Sequence, residues 1–213
     1  MLRLDILSDP ICPWCHIAKA EFDGALADRA KAAPEIHWHP FRLNPDMPAE
    51  GMDRRAYLEA KFGGPRRAAG IYGHIAERAE AAGLMLNLAA IERTPDTTDA
   101  NRLIRWAGTE GCQEAVVAGL FTAYFEQGQD ISDHGVLRRV AGAAGMDTAR
   151  VARRLAGATD RDAVIAAESA ARAGGVTGVP TFIIDGTHVV NGAQPAASWA
   201  RIIDETAVAG ASA

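Results

Sequence analysis

Ile6-Leu7-Ser8-Asp9-Pro10-Ile11-Cys12-Pro13-Trp14-Cys15-His16-Ile17 joins a short apolar strand pattern, Leu2 to Ser8, to an amphipathic helical one, and sets two thiols at the turn between them. A cysteine in the first turn of a helix faces unpaired backbone N–H groups and the positive end of the macrodipole, which favour thiolate over thiol. Cys12 is therefore expected to be the nucleophile. Cys15, about one helical turn further on, falls within disulfide reach and can resolve a mixed disulfide by attacking it.

Outward from this turn, the chain splits into β/α ends and a helical middle. The first helix is expected over Pro13 to Ala32, with Ile17, Ala20, Gly24 and Ala27 along one side, and a second strand over Ile36 to Leu43. From Asp53 to Gly174 the pattern is almost wholly helical, with segments near Asp53 to Phe62, Arg66 to Ala82, Ala100 to Gly108, Gln113 to Glu126, His134 to Ala144, Thr148 to Leu155 and Arg161 to Ala173. Strands return at Thr181 to Ile184 and His188 to Val190, flanking the turn pair Asp185-Gly186, and Pro195 to Ala207 closes the chain as a helix.

The composition suits a compact protein: 48% of the 213 residues are hydrophobic, enough for a core, and no tract is of low complexity. A formal net charge of -5 and a pI near 5.7 give no basic footprint, which argues against nucleic acid or an anionic membrane surface as main partner. No segment is apolar for the length of a membrane span. Met1-Leu2-Arg3 leads straight into the first strand and leaves no room for a signal peptide, so a cytoplasmic location is expected. In a reducing compartment a CxxC reads as redox-active or metal-binding rather than as a structural staple.

Three stretches together resemble the DsbA family of thioredoxin-fold oxidoreductases, and within it the FrnE-like branch. They are the CPWC of Cys12 to Cys15, the run Gly175-Val176-Thr177-Gly178-Val179-Pro180-Thr181-Phe182 before the late hairpin, and Phe41-Arg42-Leu43-Asn44-Pro45-Asp46-Met47-Pro48 after the second strand. The resemblance covers the whole chain. It implies an α/β class, a thioredoxin fold with a large all-helical insertion: residues 1–48 and 175–213 forming the thioredoxin-like domain and 49–174 the insertion. It also implies disulfide exchange at Cys12 through a redox-active Cys12–Cys15 disulfide, with no other cofactor required and glutathione as a candidate small molecule. A cis Val179-Pro180 peptide would offer the Val179 backbone to an extended substrate. X-Pro is the bond where cis costs little, and Pro opening a strand removes a donor the ladder does not need. The implied partners are protein or small-molecule thiols and disulfides.

Other residues near these motifs have candidate roles. Trp14, in the tight turn, offers a ring face for docking a substrate chain or glutathione. DsbA is associated with Pro-His where this chain has Pro13-Trp14, which implies a less oxidising pair, and His16 is a candidate thiolate stabiliser in its place. Asp5, among Leu4, Ile6 and Leu7, would be buried on a central strand with a raised pKa and could accept a proton from Cys15; a surface carboxylate is the competing reading. Asn44 could touch a substrate backbone or simply start the Asn-Pro turn. Cys112, lacking a CxxC partner, reads as a small packing residue. The pairs Arg54-Arg55 and Arg66-Arg67 read as solvated faces.

Three competing functions can be weighed on the same residues. The CxxC could be half of a zinc site completed by His37 and His39, in a non-catalytic binding module, but a structural site usually takes a second paired motif. The sister branch of 2-hydroxychromene-2-carboxylate isomerases and kappa-class glutathione transferases generally has Ser at the position of Cys12 and lacks the second cysteine. A tailoring role in polyketide biosynthesis is suggested by the FrnE name and by no residue of the chain.

Overall fold

The computed structural model describes residues 2–27 and 34–210. A four-stranded sheet is built from β1 (Arg3–Ser8), β2 (Glu35–Pro40), β5 (Thr181–Ile184) and β6 (His188–Asn191), in the order β2-β1-β5-β6. β2 runs parallel to β1, while β5 and β6 are antiparallel to their neighbours. Thus β1 is central, and the CxxC leaves from its carboxyl end into α1 (Pro13–Leu26). Residues 28–32, where the expected first helix ends, lie outside the described residues.

Alternation along the strands decides which side chains can reach the thiols. Leu4 and Ile6 of β1 are buried on the face that also carries Phe182, the register partner of Ile6. On that face Phe22 of α1 and Trp199 of α9 (Ala196–Gly210) close an aromatic triad, with Trp199 centred 4.5 Å from Phe182 and 5.0 Å from Phe22. Cys12 and Cys15 belong to the same buried cluster. Asp5, one residue out of phase, faces the opposite side.

Between β2 and β5 run α2 (Arg54–Phe62), α3 (Pro65–Ala81), α4 (Thr98–Glu110), α5 (Gln113–Phe121), α6 (His134–Ala143), α7 (Thr148–Ala156) and α8 (Arg161–Ala173). Asp53, Asp133 and Asp147 cap α2, α6 and α7 with side-chain oxygens on orphan amides. Gly63 and Gly111, at φ 76° and 73°, end α2 and α4 in the left-handed region open to glycine.

Two features depart from the expected all-helical stretch. Met52–Asp53 (β3) and Arg93–Thr94 (β4) pair as a short antiparallel ribbon; each strand has only two residues, too short for periodicity to register. The helix expected to reach Glu126 widens after Phe121 into a π turn, Thr122–Glu126, with Gln127 N–H donating to Thr122 O. That turn carries Tyr124 and Phe125, both fully buried.

The outer edge of β2 is paired by a side chain. Gln113 Oε1 accepts from Trp38 N at 2.9 Å, and its Nε2 donates to Trp38 O at 3.0 Å and Ile104 O at 3.2 Å. One amide thus replaces a strand partner and ties α4 and α5 to the sheet. Gln113→Ala would leave the Trp38 backbone groups without partners on a residue 6% exposed, and should lower the unfolding free energy by about 1–3 kcal/mol in urea titration. An unchanged midpoint and slope would show that the edge does not depend on this amide.

Candidate active site

Cys12 is the N-cap of α1, and its carbonyl accepts from Cys15 N at 3.0 Å and His16 N at 3.3 Å. Pro13 follows at the first helical position, where a missing N–H leaves no bond unmade. Both cysteines are free thiols, 2% and 1% exposed. The Val179-Pro180 peptide is cis, and Cys12 Sγ lies 3.6 Å from Val179 O. The pair is ordered: burial, and then the neighbouring Cys12 sulfur, push the Cys15 thiol well above its ordinary pKa. Cys15 is therefore held as the thiol. The Ser8 hydroxyl and Asp9 backbone, by contrast, stabilise ionised Cys15.

Cys12 opens into a cavity of about 190 Å³ walled by Ile11, Pro13, Trp14 and Val179 on the sheet side and by Tyr57, Lys61, Tyr72 and Arg54 from α2 and α3. Trp14 is half-buried, its ring 5.8 Å from that of His74 on α3, and so forms one wall of this cleft. The Asn44 backbone oxygen accepts from Met47 N in the expected turn, while its side-chain oxygen accepts from Tyr57 Oη at 3.0 Å and Lys61 Nζ at 3.3 Å. Its Nδ2 is buried with no partner.

Three expectations need correction. Asp5 is no proton acceptor: Arg3 clamps its carboxylate with two 2.8 Å bonds, His39 Nε2 adds one at 2.7 Å, and these partners hold its pKa at about 2. Its strand parity aims it away from the thiols. His16 is no thiolate stabiliser: its ring stacks on Phe121 and Phe125, at 5.0 and 5.6 Å between centroids, with Nε2 turned to Glu126 Oε1 at 3.4 Å, too poorly oriented for a hydrogen bond. Burial lowers its pKa to about 4, so it is neutral at pH 7. Arg54 is no solvated residue: it is 6% exposed and bonded to Thr94, Tyr124 and Tyr72, whereas Arg55 beside it is open to solvent. Arg54, Tyr57 and Lys61 recur at helical spacing, a shared face that the sequence displays once α2 is drawn.

The buried acid of the site is Asp9. It is fully buried, and its carboxylate accepts from Ile11 N at 3.2 Å and Leu43 N at 2.6 Å, joining the loop before Cys12 to the segment after β2. The bond to Ile11 is an Asx turn, the local signal that Ser8-Asp9-Pro10 carries. Desolvation raises its pKa to about 6 against these donors. Cys112 lies half-buried at the start of α5, and burial followed by the nearby Glu110 raises its pKa, so it is a packing residue rather than an activated thiol. His37 and His39 pair with Glu35 and Asp5, and no cluster of three or more metal-binding side chains occurs among the described residues.

A sheet of this order with a dithiol opening its first helix and a cis-proline loop facing the first sulfur defines a thioredoxin-fold dithiol protein. Residues 3–204 match the model of the DSBA-like thioredoxin domain, and the chain belongs to that family. It is 31% identical to a "probable DsbA oxidoreductase" of Streptomyces coelicolor, whose crystal structure superposes with a TM-score of 0.86 over 96% of this chain and 89% of that one. YwbO of Bacillus subtilis, itself uncharacterized, is 28% identical over 90% of each chain. The cytosolic disulfide reductase DsbM of Pseudomonas aeruginosa, solved also with glutathione, shares the fold at a TM-score of 0.70 and 18% identity, over 96% of this chain and 98% of that one.

The two buried titrating groups pull stability in opposite directions. Asp9 has a folded pKa of about 6, above the unfolded carboxylate's, so its contribution is present at low pH and is lost as pH rises through about 6. His16 has a folded pKa of about 4, below the unfolded imidazole's, so its contribution is present above about pH 6.5 and lost as pH falls through about 4. Asp9→Asn should therefore gain on the wild type by a few kcal/mol between about pH 4 and about pH 6, and hold that gain at higher pH. His16→Phe should gain on the wild type as pH falls. Urea unfolding across this range measures both differences; parallel curves would contradict the assignments.

Proposed function

We propose that this chain is a thiol–disulfide oxidoreductase acting through Cys12 and Cys15. The observation that carries the reading is the arrangement of Cys12, lining a cavity with Sγ facing Val179 O, beside a Cys15 that retains its proton. Cys12 thiolate attacks one sulfur of a substrate disulfide; the S–S bond breaks and the other sulfur leaves with the electron pair, taking a proton from solvent. Cys15 then loses its proton and attacks Cys12 Sγ, forming the Cys12–Cys15 disulfide and releasing the second substrate sulfur. The substrate gains two electrons, and a thiol reductant returns the enzyme to the dithiol.

The substrate sits between Trp14 and the Val179 backbone beside Pro180. Asn44 acts behind this cavity, its side-chain oxygen holding the lining residues Tyr57 and Lys61 in place. The cavity of about 190 Å³ beside Cys12 has room for one side chain, or for the cysteinyl part of a larger disulfide such as glutathione disulfide or an extended protein segment. The reducing direction, in a cytoplasmic setting, is supported by the DsbM likeness and by a CPWC in which neither His16 nor an intervening histidine stabilises the thiolate. Asp9, buried in the loop that leads to Cys12 and with its backbone beside Cys15, takes the part first expected of Asp5, with a pKa of about 6 that lets it receive a proton.

Cys12→Ser should abolish insulin reduction, and Cys15→Ser should accumulate a mixed disulfide at Cys12 that mass spectrometry detects and dithiothreitol reverses. Retained activity in Cys12→Ser would contradict the assignment. Isomerisation of a chromene carboxylate insensitive to loss of Cys15 would move the protein to the sister branch.

A further inference from the structure

Arg54 is a buried cation for which no described carboxylate serves as ion-pair partner. Its guanidinium carbon lies 5.2 Å from the centre of the Tyr72 ring, 5.7 Å from Tyr124 and 6.0 Å from Tyr57, and its N–H groups go to hydroxyls: Nη1 to Thr94 at 3.1 Å and Tyr124 at 3.2 Å, Nη2 to Tyr72 at 2.6 Å. A buried charge without a counter-ion is costly, and a cage of neutral acceptors offsets only part of that cost. The missing negative charge belongs to something else in the same cavity.

The three tyrosines differ in where their own protons go. Tyr57 donates to Asn44 Oδ1 at 3.0 Å, and Tyr124 donates to Arg93 O at 3.1 Å. Tyr72 accepts from Arg54, and among the described residues its hydroxyl proton has no acceptor. Tyr72 and Cys12 line the same cavity. Cys12 Sγ has a donor's position against Val179 O, a contact that favours the thiol and turns unfavourable once the sulfur is charged. No α1 amide bonds Sγ, which is turned to Val179 O, so a thiolate there calls for a donor; Tyr72, not bonded to the sulfur in this thiol form, has one to give.

We propose that Tyr72, polarised by the charge of Arg54, donates a hydrogen bond to the Cys12 thiolate and to the same sulfur when it departs from a mixed disulfide. The proposal rests on the oxidoreductase reading above and adds the donor relay Arg54–Tyr72–Cys12 to it. No atom changes hands: Tyr72 stays protonated, and the sulfur's charge is met by a dipole aligned with a buried cation. Burial raises the Tyr72 pKa; Arg54 opposes that rise, Tyr57 and Cys12 add to it, and the direction stays upward, so the hydroxyl serves as donor and not as base. Arg54 acts through Tyr72 and is a positioning residue.

The test is the pH profile of iodoacetamide alkylation at Cys12, resolved by peptide mass spectrometry, for wild type, Tyr72→Phe and Tyr57→Phe. Tyr72→Phe keeps the ring and should move the Cys12 midpoint up by about one pH unit, a roughly tenfold smaller thiolate fraction below the midpoint. Tyr57→Phe, whose proton is committed to Asn44, should leave the midpoint in place. A Tyr72→Phe profile that overlays the wild type overturns the proposal, whatever that variant does to stability. Should Tyr72→Phe not fold, Arg54→Lys, which withdraws the Nη2 contact, is read by the same criterion. The profile is independent of turnover, so wild-type failure in insulin reduction would refute the oxidoreductase reading alone, and an unmoved midpoint would refute the relay alone.

Discussion

A sulfur that has to carry a charge is held 2% exposed, 3.6 Å from a carbonyl oxygen that favours its neutral form. Removing a thiolate from water is costly, so the surroundings must supply what the solvent no longer does. The start of α1 brings the positive end of the helix dipole to Cys12, though no α1 amide bonds its sulfur, because β1 is central and delivers the chain into a helix there. The cis Val179-Pro180 loop supplies the facing wall because β5 pairs with β1 in a register that sets Phe182 against Ile6. The helices between β2 and β5 supply the far wall, where Arg54 brings a buried cation with no ion-pair partner among the described residues.

The same constraint orders the second sulfur and the acid. Cys15 is buried like Cys12, and burial together with the neighbouring sulfur holds it as the thiol. Asp9 is the only buried carboxylate in the loop between β1 and α1, and it is bonded to two backbone amides rather than to a cation. Its raised pKa and its bridging position are one fact: the carboxylate is kept dry to hold Leu43 and Ile11 together beside the thiols. A change at Asp9 therefore alters how the loop before Cys12 is held to the segment after β2.

Much of this was legible in the chain. The CPWC, the late Val179-Pro180 and most helices fall where local pattern puts them, because caps such as Asp133 and Asp147 and the glycine stops are short-range signals. Hydrophobic neighbours point to the burial of Asp5, whose side chain is 14% exposed, but not to its role, because parity along the strand sets it away from the thiols and against Arg3 and His39. Arg54 was misread because one arginine looks like another until α3 and the π turn bring Tyr72 and Tyr124 around it, 18 and 70 residues away. His16 was placed correctly on α1, but its partners, Phe121 and Phe125, come from a segment whose approach no local pattern encodes.

The central claim is that Cys12 and Cys15 form one reversible two-electron couple. Equilibration of the protein in glutathione redox buffers, with thiols trapped and counted by mass spectrometry, tests it directly. The account predicts a single two-electron transition confined to these two cysteines, with a midpoint between about -270 mV, the thioredoxin value, and about -120 mV, the DsbA value. Absence of an intramolecular Cys12–Cys15 disulfide at any buffer ratio, or a transition that consumes Cys112, would contradict it.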